Sequence, residues 1–289
     1  MDEITQIYWL FRCTEKQYAE SFCSKGTIKL NTPKFWIELE TKEGKGRGDL
    51  LEGVYCSFPT YDIQSYLVLR ELRDNVKGCT QGNLSYLKSD DVNELPCFCM
   101  FGLYNHSFHY QYFKETDSCA NVAYVQDSYF RDFYKYKTRE SIECLPDKNK
   151  PVFVIIKSPN IFFERVYNHL ETLGVSRQEI LIKPVTYLDK NIPFLTRSKY
   201  PMELFLKDVR FQNQSELRIV INTKNSNVIK QLRKQNFILD IGDLSDITEI
   251  YKYYLEDMLI EMDGMTLSFN LPEPIVTELK ICQKMNYLG

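Results

Sequence analysis

Between Val209 and Asn222 the chain reads "VRFQNQSELRIVIN", with Gln214, Glu216 and Arg218 at alternate positions. Alternate residues of a strand share a face, so this spacing projects an amide, a carboxylate and a guanidinium together. A carboxylate with an amide beside it is equipped for glycosidic cleavage through an oxocarbenium-like transition state. The carboxylate holds a ribose hydroxyl and stabilises positive charge, and the amide orients an acceptor. On this reading Glu216 and Gln214 are catalytic. The same residues also read as a polar strand entrance with an i, i+2 Glu–Arg pair, worth at most about 1 kcal/mol if exposed. Spacing by itself leaves both readings open.

Other residues could do chemistry elsewhere. Arg12 closes the apolar stretch "IYWLFR", where an arginine either grips a phosphate bidentately or reaches solvent. The segment "EGKGRGDLLEG" carries Gly44, Gly46, Gly48 and Gly53, so its backbone with Lys45 or Arg47 could meet a pyrophosphate. It lacks the pattern of a phosphate loop, and a solvated loop is the expectation. Within it, Asp49 and Glu52 are a carboxylate pair that a metal-dependent nuclease could use, but no further acidic ligand can be nominated. His106 and His109 in "LYNHSFHYQYF" have no third ligand, and no C-x-x-C pair exists, so no metal is expected. A hydrolase triad is equally unsupported, since there is no G-x-S-x-G.

These residues need elements to hold them. "IYWLFR" reads as a buried strand, followed by a T-x-x-Q capping box at Thr14 and Gln17 and a short helix stopping at Gly26. "TIKLN" is a second strand, and Thr32-Pro33 opens another helix. "YDIQSYLVLREL" and "SYFRDFYKY" have helical character, whereas "LPCFCMFGLY", "CANVAYVQDS" and "PVFVIIKSP" read as strands. A helix spans about Ile161 to Leu173. "ILIKPVTYL" is a strand whose Pro184 marks an edge or bulge. "LRIVIN" and "FILDI" continue the sheet, and apolar residues from Ile247 to Met262 follow helical spacing. Strands and helices intermix without doubly wound alternation. The expected fold is α+β, with a mixed, mostly antiparallel central sheet containing Ile7 to Phe11, Val152 to Ile156 and Leu217 to Ile221. One domain over residues 1–289 is expected, with a helical insertion at about 60–95.

Composition bounds the function classes. With 289 residues, 44% hydrophobic and 26% charged, the chain can bury a proper core. The net charge of −3 argues against bulk attraction to nucleic acid or anionic membrane. A local basic face is expected from Arg197 to Lys234, beside an acidic helix in the acid-rich stretch Asp240 to Asp263. No stretch reaches the roughly 18 apolar residues of a spanning helix. The acidic opening "MDEITQ" differs from a secretory signal. Nine irregularly spaced cysteines read as reduced cytosolic thiols, so a cytoplasmic location away from the membrane is expected.

Two stretches carry a resemblance. "IYWLFRCTEKQYAESFCSKGTIKLNTPKFW" running into "GDLLEG", and "KPVTYLDK" with "FLKDVRFQNQSELRIVIN", resemble an uncharacterised bacterial family often described near phage-defence genes. Its motifs include an Asp-x-x-Glu turn and a Lys, an aromatic and a Glu-containing strand entrance preceding an Arg. More loosely, Arg12 on a strand, a helix, Gly26 and a Gln-x-Glu entrance resemble the ADP-ribosyltransferase superfamily. That resemblance implies NAD as substrate, Arg12 at its phosphate or ribose, Gln214 orienting the acceptor and Glu216 as the catalytic carboxylate. Phe211 would lie in the substrate-recognition turn. The superfamily's Ser-Thr-Ser motif is absent, and Ser57 in "VYCSFP" is its nearest counterpart. The implied function is an ADP-ribosyltransferase-like effector of antiphage defence, with a protein or nucleic-acid acceptor. The alternative is a catalytically inactive sensor or adaptor that binds a protein or nucleotide ligand in an aromatic-lined cleft.

Overall fold

The run Pro151–Ile156 is buried at all six positions, so both of its faces are covered, as in an inner strand with neighbours on both edges. In the computed structural model of the chain, which describes residues 6–43, 49–71, 75–113, 118–125, 138–196, 199–252, 258–263 and 266–270, those neighbours are Ile7–Glu15 and Thr248–Lys252, both antiparallel. The helix expected at "SYFRDFYKY" and the loop residues Lys45 and Arg47 lie outside the described residues.

In chain order the strands are β1 (Ile7–Glu15), β2 (Thr27–Lys29), β3 (Val54–Pro59), β4 (Val76–Gln81), β5 (Leu84–Ser89) and β6 (Cys97–Tyr104). Then come β7 (His109–Phe113), β8 (Ser118–Val125), β9 (Pro151–Ile156), β10 (Ile180–Pro184), β11 (Thr186–Leu188) and β12 (Phe194–Leu195). The last are β13 (Leu206–Asp208), β14 (Glu216–Ile221), β15 (Ile238–Asp240), β16 (Thr248–Lys252), β17 (Met258–Asp263) and β18 (Thr266–Asn270). Helices are α1 (Lys16–Lys25), α2 (Pro33–Glu43), α3 (Ile63–Arg70), α4 (Arg139–Glu143), α5 (Pro159–Thr172) and α6 (Ser226–Lys234). A six-stranded sheet runs in the order β10-β14-β6-β1-β9-β16. Two four-stranded sheets run β12-β3-β5-β4 and β18-β17-β8-β7, while β11-β13 and β15-β2 are pairs. The fold is α+β and mostly antiparallel; the β11–β13 pair is parallel. All three strands expected in the central sheet are there, and β10 with its Pro184 is at its edge.

Contacts divide the chain into two compact units. Unit 1 comprises Met1–Thr27, Phe101–Val166 and Asp240–Gly289. Its core gathers Trp9, Phe11, Phe101, Leu103, Phe153 and Ile155 with Tyr251 and Ile260. Helix α1 ends at Gly26, whose φ of 63° lies in the left-handed region and whose missing Cβ leaves room for the Gly242 carbonyl. The expected Thr14–Gln17 box does not form. Strand β1 pairs with β9 as far as Glu15, so Glu15 is the N-cap and Gln17 donates to its carboxylate at 2.8 Å.

The helix expected from Ile247 to Met262 is instead β16 and β17. The otherwise open edge of β9 recruits Thr248, Ile250 and Tyr251, types that favour strands, and this pairing overrides the helical spacing. The described residues of the expected acidic helix are therefore not helical. Asp246, just before β16, is held bidentately by Arg165 at 2.6 and 2.8 Å.

Unit 2 comprises Ile28–Met100 and Tyr167–Leu239. Its hydrophobic clusters include Val92, Leu95, Leu204, Phe205 and Val220, and, under α3, Tyr55, Cys56, Phe58 and Leu87. Pro33 opens α2, where the Thr32 hydroxyl accepts from Phe35 N–H at 3.3 Å. Asp62 caps α3 by accepting from Ser65 N–H at 2.9 Å. The described residues of 60–95 hold this one α-helix followed by the β4–β5 hairpin.

Candidate functional site

Strand β14 is buried at every position, although its first and third residues are Glu216 and Arg218. Charges inside a strand that faces no water must find partners. They share a face, and the guanidinium holds Glu216 Oε1 through Nε at 2.8 Å and Nη2 at 2.6 Å. The other oxygen, Oε2, accepts from Lys207 Nζ at 2.9 Å. The Cys99 thiol also bonds to this carboxylate. Arg218 Nη1 donates to Glu52 Oε1 and to the Leu204 carbonyl, and its guanidinium lies 4.9 Å from the centre of the Trp36 ring.

Gln214 reaches the cluster by another route than expected. It ends a 3-10 turn, Val209–Gln214, rather than sharing the strand face with Glu216. Ser215 follows at φ 38°, in the left-handed region, and this reversal turns both side chains toward Lys207. Gln214 Oε1 accepts from Lys207 Nζ. Phe211, in the same turn, sets its ring 5.0 Å from Lys207 Nζ and 4.7 Å from the Arg210 guanidinium. The backbone N–H of Glu216 donates to Tyr187 Oη at 2.8 Å.

A second buried pair comes from the Asp-x-x-Glu turn. Asp49 accepts from Leu51 N–H at 2.8 Å and from Lys190 Nζ at 3.1 Å. Lys190 completes its donors with the carbonyls of Leu51 at 2.8 Å and Leu206 at 3.3 Å. Asp49 and Lys190 are both fully buried.

Electrostatics follow from this geometry. Burial raises the Glu216 carboxyl, but Arg218 and Lys207 outweigh it and hold the group well below the usual carboxylate range. Burial likewise opposes the charge on Asp49, and Lys190 reverses the balance, leaving it lowered. Burial lowers Lys207 and Arg218, while Glu216 and Glu52 raise both above their ordinary values. The surroundings thus favour the charged forms of Glu216, Asp49, Lys207 and Arg218. The expected basic face is correspondingly reduced, because Lys207 and Arg218 point inward and are neutralised.

Ser57 and Arg12 have different surroundings. The Ser57 hydroxyl donates to the Ile192 carbonyl at 3.1 Å and accepts from Phe194 N–H at 3.3 Å, latching residues 192–194 onto β3. That latch builds one wall of a groove of about 590 Å³, lined by Ser57, Phe58, Val68, Leu69, Phe194 and Leu195 among others. Arg12 belongs to unit 1, with its guanidinium 5.7 Å from the Phe22 ring. His106 stacks on Tyr104 and His109 on Tyr124, at 5.2 and 5.5 Å, so each packs with an aromatic ring. Among the described residues no group of three His, Cys, Asp or Glu could hold a metal ion, and no helix is long and apolar enough to cross a membrane.

The nominated residues Phe211, Gln214 and Glu216 thus meet at Lys207. Spacing did not nominate Lys207, Lys190, Trp36, Tyr187 or Cys99. One signal does point to such a cluster: two charges inside the otherwise apolar "ELRIVI" demand internal partners. No family model, curated protein or solved structure matches this chain.

Proposed function

We propose that this protein is a catalytically silent binding module, a sensor or adaptor, whose unit 2 groove receives an apolar segment of a protein ligand. The saturation of Glu216 carries this reading: Arg218 holds one carboxylate oxygen and Lys207 the other, in the interior. A carboxylate that stabilises a developing cation must keep its negative charge for that cation. This one is already neutralised twice over. The groove favours a protein ligand over a nucleotide, because Phe58, Val68, Leu69 and Phe194 supply apolar walls and no described lining residue is a cation for phosphate. Eight free cysteines among the described residues support placing the module in the reducing cytoplasm. Antiphage defence is the setting that the N-terminal resemblance implies.

A second reading, an ADP-ribosyltransferase-like effector acting on NAD through Glu216, is favoured by the gathering of Phe211, Gln214 and Glu216 around Lys207. Incubation of wild type and Glu216→Gln with NAD and cell extract, followed by nicotinamide release, separates the two. The expected result is no release from either protein. Release by wild type that Glu216→Gln abolishes without unfolding overturns the binding reading.

A further inference from the structure

Helix α3 reads "IQSYLVLR", and apolar residues cover more than one of its sides. Tyr66 and Leu69 pack inward against β3 and β5, yet Ile63, Leu67 and Val68 stand outward and exposed. A helix apolar on opposite sides calls for cover on both. Tyr61, just before the helix, is 84% exposed, and Val68 is 65% exposed. Across the groove, Ile192 and Leu195 are exposed as well. From Ile63 to Leu69 the helix carries no charge, so its charged groups stand at the two ends, Asp62 before and Arg70 and Glu71 after.

This surface pairs a ridge with a groove. Ile63 and Leu67, four residues apart, form the ridge along one side of α3. Val68 and Leu69 turn to the other side, where they face Phe194 and Leu195 across the groove. A ridge beside a groove is the shape that a two-fold axis makes self-complementary, since each copy presents both halves of one contact. We infer that the groove's partner is a second copy of this chain: Leu67 of each copy inserts between Val68 and Leu195 of the other. The inference rests on the binding reading above and names its ligand.

Area supports the choice. The six exposed side chains Tyr61, Ile63, Leu67, Val68, Ile192 and Leu195 together offer on the order of 600 Å², the upper end of what a typical monomer leaves uncovered. Two such patches face to face bury roughly 1,200 Å², the lower end of the range for specific, stable interfaces. A two-fold perpendicular to α3 sets the two helices antiparallel, with their uncharged stretches against each other and the charged helix ends at the rim.

Sedimentation velocity from micromolar to hundreds of micromolar tests this. Wild type is expected to shift toward the mass of two chains as concentration rises, and Leu67→Met to do the same. Leu67→Glu and Leu195→Glu are expected to stay at one chain, with far-ultraviolet circular dichroism spectra like that of wild type. A wild type that remains at one chain throughout, or a two-chain species that survives both glutamate substitutions, overturns the inference. Anilinonaphthalene sulfonate fluorescence, read at low concentration with Phe194→Glu as control, separates the two ideas. Dye binding that requires Phe194 in a strictly monomeric protein keeps the groove and rejects self-association. Absence of both dye binding and dimer rejects the groove as well.

Discussion

Glu216 has two cations and a thiol on its carboxylate, so replacing it leaves Lys207 with no carboxylate and Arg218 with Glu52 alone. Breaking a buried pair by removing one partner costs about 3–5 kcal/mol. Glu216→Gln is therefore expected to lose that much stability, read as a lower midpoint in urea unfolding, whereas an exposed strand-entrance glutamate would lose about 1 kcal/mol or less. The pH dependence has a fixed sign. Glu216 and Asp49 are lowered in the folded state, so below the ordinary carboxylate range the unfolded chain binds protons that the folded chain refuses. Their contribution is complete above that range and lost as pH falls toward the folded values. Stability measured from neutral pH down through the carboxylate range should fall, and Glu216→Gln should flatten that fall. The i, i+2 pairing of Glu216 with Arg218 is legible in the sequence because a strand's period is local. Lys190 and Glu52 are not, since they meet partners 141 and 166 residues away, beyond the reach of any spacing rule.

At the level of elements, local chemistry reads well where the backbone decides and poorly where a neighbour does. The stop at Gly26 and the start at Pro33 follow from φ preferences alone. The segment Ile247–Met262 misleads because its apolar spacing suits a helix as well as paired strands, and pairing of β16 with β9 and of β17 with β8 settles the matter. Gly26→Ala is expected to cost more than about 1 kcal/mol, because it strains a left-handed φ and pushes a methyl into the Gly242 backbone. Thermal melting of the variant checks this. Asp62→Ala removes the acceptor for Ser65 N–H at the start of α3, with an expected loss of about 1 kcal/mol on the same measurement.

For the molecule as a whole, charge that looks extroverted in the sequence turns out to be internal. The stretch Arg197–Lys234 is basic by count, but Lys207 and Arg218 are cancelled within unit 2. With a net charge of −3, the protein is expected to pass a heparin column at physiological salt without retention, and a salt-dependent delay would show a polyanion surface. The internal network also has a schedule. Its early members, Asp49 and Glu52, leave the ribosome long before Lys190, Lys207 and Arg218, and Glu52 waits through 166 residues for its guanidinium. At roughly 5–20 residues per second, that wait lasts roughly ten to thirty seconds. Throughout it, the first half of unit 2 holds carboxylates that can stay only where water reaches them. A nascent chain stalled before residue 218 should accordingly keep this turn hydrated and open to protease, and the closing of the ion network becomes a late checkpoint on synthesis.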